Sequence, residues 1–175
     1  MGMPGAGKTE AANIFKELDF PILRFGDQTD LGLKELGKDL TEKNERWYRE
    51  KLREELGMAA YAIKIKPRID KVLKKSDRVV LDGLYSWEEY IYLRKLFPQL
   101  ILFCVYARPK IRYSRLVDRN HRRLDFKSAR TRDMAELENL NKGGPIAIAD
   151  YLIKNEGTLK ELEKKVVKFI HCEKK

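Results

Sequence analysis

The sequence predicts an α/β fold in which helices cover a parallel sheet. Three observations carry the prediction. Apolar runs of strand length alternate with amphipathic stretches of helix length along all 175 residues. The run from Leu100 to Tyr106 is wholly apolar, as a central strand buried on both faces must be. A glycine-rich loop, Gly2 to Gly7, opens directly into a stretch of helix formers.

Each element has its own local reason. Lys8 to Leu18 reads as the first helix, and Pro21 to Phe25 as a short strand. Thr41 to Leu56 is rich in charged helix formers, with Gly57 placed to end or bend it. A further helical stretch runs to Lys75 and is expected to kink near Pro67, whose ring removes an amide donor. Arg78 to Asp82 is a strand ended by the turn pair Asp82-Gly83. Ser86 reads as an N-cap with Glu89 three residues on, the pattern of a capping box, and Pro98 closes that helix. Pro109 suits the first position of the next one. Tyr151 to Ile153 is a last short strand, and Thr158 can cap the C-terminal helix.

The length and 43% hydrophobic content suit one domain over residues 1–175. No stretch reaches the roughly 18 unbroken apolar residues of a membrane span. Gly, Pro and Lys stand where a signal peptide would carry its apolar run. Cys104 lies within an apolar run and reads as a small buried hydrophobe; Cys172 reads as a free thiol. A reducing cytoplasm fits both. His121 and His171 are too isolated to suggest a metal cage.

Charge is concentrated. The formal net charge is +10. Ten cations fall between Arg108 and Arg132 (108, 110, 112, 115, 119, 122, 123, 127, 130 and 132), opposed only by Asp118 and Asp125. A partner with several negative charges is expected there.

The loop Gly2-Met3-Pro4-Gly5-Ala6-Gly7-Lys8-Thr9 has the phosphate-binding spacing Gly-x-x-x-x-Gly-Lys-[Ser/Thr]. Glycines let successive amides point inward around an anion, and the following helix adds the positive end of its dipole. Gly2, Pro4, Gly5, Ala6, Gly7, Lys8 and Thr9 are the candidate nucleotide-binding set. Lys8 would reach the β- and γ-phosphates of ATP, and the Thr9 hydroxyl would ligate Mg²⁺. The fold class expected is therefore a P-loop NTPase, three-layer α/β/α with a parallel sheet. A strand should precede such a loop, yet only Met1 does. The expectation is a sequence cut short, or begun at a misplaced codon, so that the first strand is missing.

No Asn-Lys-x-Asp guanine signature is present. The chain instead resembles nucleoside-monophosphate kinases and dephospho-CoA kinases along essentially its whole length. The matching features are the loop, Phe25-Gly26-Asp27, Leu81-Asp82-Gly83, the arginine-rich stretch and Ala149-Asp150-Tyr151-Leu152-Ile153-Lys154-Asn155-Glu156-Gly157. That ending is similar to the dephospho-CoA kinase pattern Ala-Asp-x-x-Ile-x-Asn-x-Gly. The whole is most similar to an archaeal and bacterial group described as adenylate-kinase-related or dephospho-CoA-kinase-like. The resemblance implies a cytoplasmic kinase with a nucleotide or nucleotide-like acceptor and ATP and Mg²⁺ as cofactors. It also implies a lid over about 119–132 and a helical acceptor-binding insertion over about 41–75. Asp27 would orient or deprotonate the acceptor, and Asn155 and Gly157 would support the adenine. Asp82 would serve the metal, and Arg119, Arg123 and Arg132 would act from the lid, Arg119 also holding the nucleotide.

Other readings of these residues stay open. Asp82 could simply end a strand and Asp27 could cap a helix. Arg112, Arg115 and Arg119 share one helix face, opposite Tyr113, Leu116 and Val117, and could be a solvated face or, with Arg122, Arg123, Arg130 and Arg132, a lid. Trp47, Tyr48 and Tyr61 could stack on a base or fill a core. Adenylate kinases carry an acceptor-site Arg after Asp-Gly-Phe-Pro, and Asp82-Gly83-Leu84-Tyr85-Ser86 has none. The main alternative is a nucleic-acid-associated ATPase or polynucleotide kinase using segment 108–132; an inactive nucleotide-binding remnant is the third.

Overall fold

The computed structural model describes residues 1–119 and 123–173. His121 and Arg122, named above, lie outside them. The chain divides into two units, one of residues 1–19 with 101 onward and one of residues 20–100.

The first unit holds α1 (Lys8–Glu17) at its start. The second holds β1 (Ile22–Arg24), α2 (Asp27–Glu35), α3 (Glu42–Leu56), α4 (Ala60–Leu73), β2 (Val80–Asp82) and α5 (Trp87–Leu96). The first then resumes with β3 (Phe103–Tyr106), α6 (Pro109–Asp118), α7 (Phe126–Leu140), α8 (Gly143–Ala147), β4 (Tyr151–Lys154) and α9 (Leu159–Glu173).

In the first unit β3 and β4 pair in parallel, with Phe103 opposite Tyr151 and Tyr106 opposite Lys154. Met1 extends this pairing on the loop side: its carbonyl accepts from Val105 N at 2.8 Å, and its amino group donates to Phe103 O at 2.5 Å. Helices α1 and α9 pack together. Leu162 and Val166 of α9 are buried, and an aromatic cluster of Phe15, Phe103, Tyr151 and Phe169 ties both helices to the strands at centroid spacings of 4.6–6.1 Å. Such pairs add about 0.5–1.5 kcal/mol each beyond burial. The strand expected from Leu100 begins only at Phe103. Leu100 N bonds Phe97 O, the Arg94 guanidinium takes the Leu100 carbonyl, and Asp150 Oδ2 takes Leu102 N at 2.7 Å. Those groups have side-chain or turn partners, so the pairing begins only with the bond from Tyr151 N to Leu102 O at 3.2 Å.

In the second unit β1 and β2 pair in parallel, Ile22 with Val80 and Arg24 with Asp82. Among the described residues the four strands thus bond as two parallel pairs, not as one ladder. Thr41 caps α3 by accepting from Asn44 N, and Ser86 and Glu89 form the expected capping box on α5. Pro67 lies within a single helix, α4, where its side chain is exposed, so the carbonyl it leaves unbonded one turn earlier can meet water. Tyr61 is 2% exposed and its hydroxyl is 2.7 Å from Thr29 Oγ1; Tyr48 is also buried, with its hydroxyl over Gly32. Both are core residues. Trp47 is exposed instead, with the Lys38 and Lys51 ammoniums 5.0 and 5.5 Å from its ring. Among the described residues no helix is long and apolar enough to cross a membrane.

Candidate functional site

The glycine loop is shaped by its neighbours in the first unit. Gly5 and Gly7 have φ of 75° and 96°, the left-handed region that side chains rarely enter. A Cβ at Gly5 would stand 2.5 Å from Arg112 O, and one at Gly7 would collide with the Asn155 amide. Gly7 is the N-cap of α1 and offers no side chain to its first turn, so those amides are left for a ligand. Lys8 curls back over the loop, Nζ to Met3 O at 3.1 Å, while the Thr9 side chain is exposed. The loop is a pre-formed anion cradle at a helix N-terminus, which is the geometry nucleotide phosphates require.

Two side chains hold that cradle from outside. Arg112, 4% exposed, donates from Nη1 to Pro4 O at 3.0 Å and from Nε to Ala107 O at 3.0 Å. Its guanidinium also makes a two-pronged ion pair with Asp133 at 2.9 and 2.6 Å. The Tyr113 hydroxyl adds a bond to Asp133 at 2.9 Å, and burial together with that carboxylate pushes the Tyr113 phenol pKa up. Asn155, 7% exposed, donates from Nδ2 to Ala6 O at 2.8 Å. Arg115 in turn donates to Asn155 O at 2.9 Å.

This corrects the reading of the basic segment. Arg112 is not on an open lid face: it is buried, because a carboxylate and two carbonyls satisfy its donors. Arg115 braces the turn after β4. Arg108 bonds Glu156 at 3.0 Å, and although burial opposes it, the bonds from Lys154 and Arg108 hold the Glu156 pKa below the usual glutamate value. Of the proposed lid residues, Arg119 follows α6 and its carbonyl accepts from Arg123 Nε at 3.1 Å. Arg132 pairs along α7 with Glu136 at 3.3 Å, and Glu136 also binds the buried Lys142 ammonium. The Asn155 side chain is engaged by the loop backbone. Gly157 lies in the turn before α9, whose first turn Thr158 caps by accepting from Glu161 N at 3.3 Å.

In the second unit Asp27 is the first residue of α2, after Gly26 as N-cap, so it does not cap the helix itself. Its carboxylate meets Arg68 Nη2 at 3.2 Å and Arg24 Nη1 at 3.9 Å, all three side chains being partly exposed. Gln28 lies beside them, buried; with its amide oriented to suit its neighbours, its oxygen accepts from Arg68 Nη1 at 2.6 Å and its nitrogen donates to Lys64 O at 3.3 Å. Arg68 and Arg24 thus place two cations beside Asp27. Nothing in their sequence spacing from Asp27, 41 residues in the case of Arg68, announced the cluster. Asp82 ends β2 half-buried, bonded to Phe25 N through its carbonyl, and among the described residues no hydrogen-bond donor reaches its carboxylate. Thr9 belongs to the first unit and Asp82 to the second. No cluster of three or more His, Cys, Asp or Glu side chains fit to hold a metal occurs among the described residues.

Comparison with known proteins places this geometry. A family described as an AAA domain matches residues 1–141. A UPF0200 protein of Pyrococcus abyssi is 35% identical over 171 residues, covering 94% of this chain and 90% of the relative. One from Thermococcus gammatolerans is 34% identical over 169 residues, covering 94% and 88%. Among solved structures, TT1252 from Thermus thermophilus superposes with a TM-score of 0.66 at 16% identity, over 98% of this chain and 94% of that one. A shikimate kinase from Bacteroides thetaiotaomicron gives 0.62 at 13% identity, over 98% and 96%. At such identities the likeness establishes the fold: a helix-rich α/β domain of the P-loop kinase kind, with parallel strands. With the loop geometry and these relatives together, the chain belongs to the UPF0200 family and carries an AAA domain of P-loop kinase-like fold.

Proposed function

We propose that the protein is an ATP- and Mg²⁺-dependent phosphotransferase that moves the γ-phosphoryl group to a nucleotide or nucleotide-like acceptor, such as a nucleoside monophosphate or dephospho-CoA. The observation that carries this reading is the loop from Gly2 to Gly7, whose conformation admits no side chain at Gly5 or Gly7, leaves the first amides of α1 without a side-chain cap and holds Lys8 back against the Met3 carbonyl. A triphosphate fits that cradle. The likeness in fold to a shikimate kinase supports phosphoryl transfer over other uses of a P-loop.

In this reading residues 1–175 form one kinase domain, with an acceptor-binding insertion over about 41–75 and a lid over about 119–132. Phosphoryl transfer asks the protein for positioning and neutralisation of charge. The loop amides and Lys8 hold the β- and γ-phosphates. The Thr9 hydroxyl in the first unit, and in the second the Asp82 carboxylate, which no donor among the described residues engages, are each offered as a ligand for Mg²⁺, which when bound neutralises phosphate charge. Asp27 receives the acceptor hydroxyl, and Arg68 and Arg24 turn from Asp27 toward an anionic group on the acceptor. Arg119, Arg123 and Arg132 close from the lid, with Arg132 exchanging Glu136 for phosphate oxygen. Asn155 and Gly157 support the adenine side through the turn after β4.

Coupled ADP-release assays test this across nucleoside monophosphates and dephospho-CoA, with shikimate and gluconate as polyhydroxy-acid comparators. Acceptor-dependent ADP with one of the nucleotide-like compounds is expected. ADP release that no acceptor stimulates contradicts the reading.

A further inference from the structure

We propose that the first two turns of α7 form a docking face for single-stranded nucleic acid, separate from the loop that would hold ATP. The case starts from which cations of the basic segment the fold uses internally. Arg112 is neutralised by Asp133, Arg108 by Glu156 and Arg132 by Glu136, and Arg115 serves the Asn155 carbonyl. Arg123 donates to the Arg119 carbonyl, whereas Lys127 and Arg130 remain exposed, and among the described residues no carboxylate forms an ion pair with either of the two. Arg130 falls one turn after Phe126, on its side of α7, and Lys127 follows Phe126 directly in the first turn.

Phe126 is 52% exposed, yet it is not loose. Its ring sits edge-on to Tyr113 at 6.1 Å and 89°, and Tyr113 is itself anchored to Asp133. A fixed aromatic face open to solvent, with exposed cations on the same two turns, is a stacking platform with phosphate contacts at hand, the arrangement that binds single strands with little regard to sequence. The helix continues the face with exposed Met134, which falls eight residues after Phe126 and so on the same side. The acids nearby do not cancel it. Asp125 is occupied as the N-cap: Ser128 N donates to it at 2.7 Å, and that bond, with a smaller contribution from Lys127, keeps its pKa low. Glu138 lies about three turns along the helix from Lys127 and about two from Arg130, roughly 16 and 12 Å by helical rise. The ion-paired arginines lie elsewhere: Arg132, with Glu136, projects from the far side of α7.

The stacking ring gives the test its edge, because a polyanion without bases cannot use it. The full-length protein is titrated into labelled oligo(dT) and oligo(rU) of about 20 nucleotides, and into heparin, from about 50 to 200 mM KCl. Salt-sensitive binding to both oligonucleotides is expected. Phe126→Ala should weaken it about tenfold with the salt slope unchanged, and should leave heparin affinity as it was. The double variant Lys127→Glu, Arg130→Glu should weaken oligonucleotide and heparin binding alike and lower the slope of log K against log[KCl] by about 1.4, some 0.7 for each phosphate left without its cation. Far-UV circular dichroism checks that both variants fold. The proposal is overturned if the wild-type protein does not bind oligonucleotide at the lowest salt, or if Phe126→Ala affects heparin and oligonucleotide equally. It is also overturned if Mg-ATP displaces the strand one for one, since the face is then part of the mononucleotide site, or if only acidic proteins bind there.

Discussion

The two units hold their functional charges in opposite ways. In the first, Arg112 and Asn155 are buried and fully engaged, and what they engage is the backbone of the phosphate loop, at Pro4 O and Ala6 O. In the second, Asp27, Arg24 and Arg68 pair only with one another and remain partly exposed. A buried ion pair is rigid, because separating it leaves a charge without solvent. A half-exposed pair can exchange partners at small cost, because water is available to each ion. In the proposed reading, the contrast suits a rigid cradle for the phosphates and an adaptable cluster for the acceptor.

The contrast can be broken at several points. The largest effect is expected at Lys8: Lys8→Ala should lower acceptor-dependent ADP release by a factor on the order of 10²–10³, the loss typical of one charge-stabilising donor. Next comes the buried pair. Asp133→Ala leaves Arg112 buried without its counter-ion and should lower the unfolding free energy by about 3–5 kcal/mol, read by urea denaturation. The equivalent change in the second unit, Asp27→Ala, should move stability by about 1 kcal/mol or less, since those ions are solvated. Equal losses at Asp133 and Asp27 would erase the distinction. Arg68→Ala should raise the acceptor KM by about 10- to 100-fold, the worth of a charged hydrogen bond, while leaving the KM for ATP unchanged. The smallest effect is at a local device: Ser86→Ala should cost about 1 kcal/mol of stability through the lost cap, with no change in KM for either substrate.

What could be read from the sequence was what is encoded locally. The loop motif, the Ser86-Glu89 box, the Thr158 cap and Pro109 at the start of α6 all depend on residues close to one another in the chain, and the structure shows both caps and Pro109 in place. Strand edges were less legible. Leu100 to Leu102 are as apolar as a strand should be, but Asp150 and Arg94 take their backbone groups, and neither partner is visible from the run itself. The charged residues were hardest. Arg112 and Arg115 look alike in a basic segment, and only the position of Asp133 on another helix, 21 residues away, makes one of them buried. The resemblance to adenylate kinases directed attention to the missing Arg after Asp82-Gly83, whereas Arg68 reaches Asp27 from α4, where helical periodicity carries no hint of its partner.

The central claim is that the loop from Gly2 to Thr9 is a nucleotide-phosphate site, and equilibrium titration with a fluorescent ATP analogue tests it most directly. The wild-type chain should bind the analogue saturably, more tightly with Mg²⁺ than with EDTA, and unlabelled ATP should displace it. Gly7→Val, which would drive a side chain into the Asn155 amide and force a left-handed φ on a β-branched residue, should abolish that binding while leaving the far-UV circular dichroism of the helices in place. Saturable binding that survives unchanged in Gly7→Val would contradict the claim, as would a wild-type chain that does not bind the analogue.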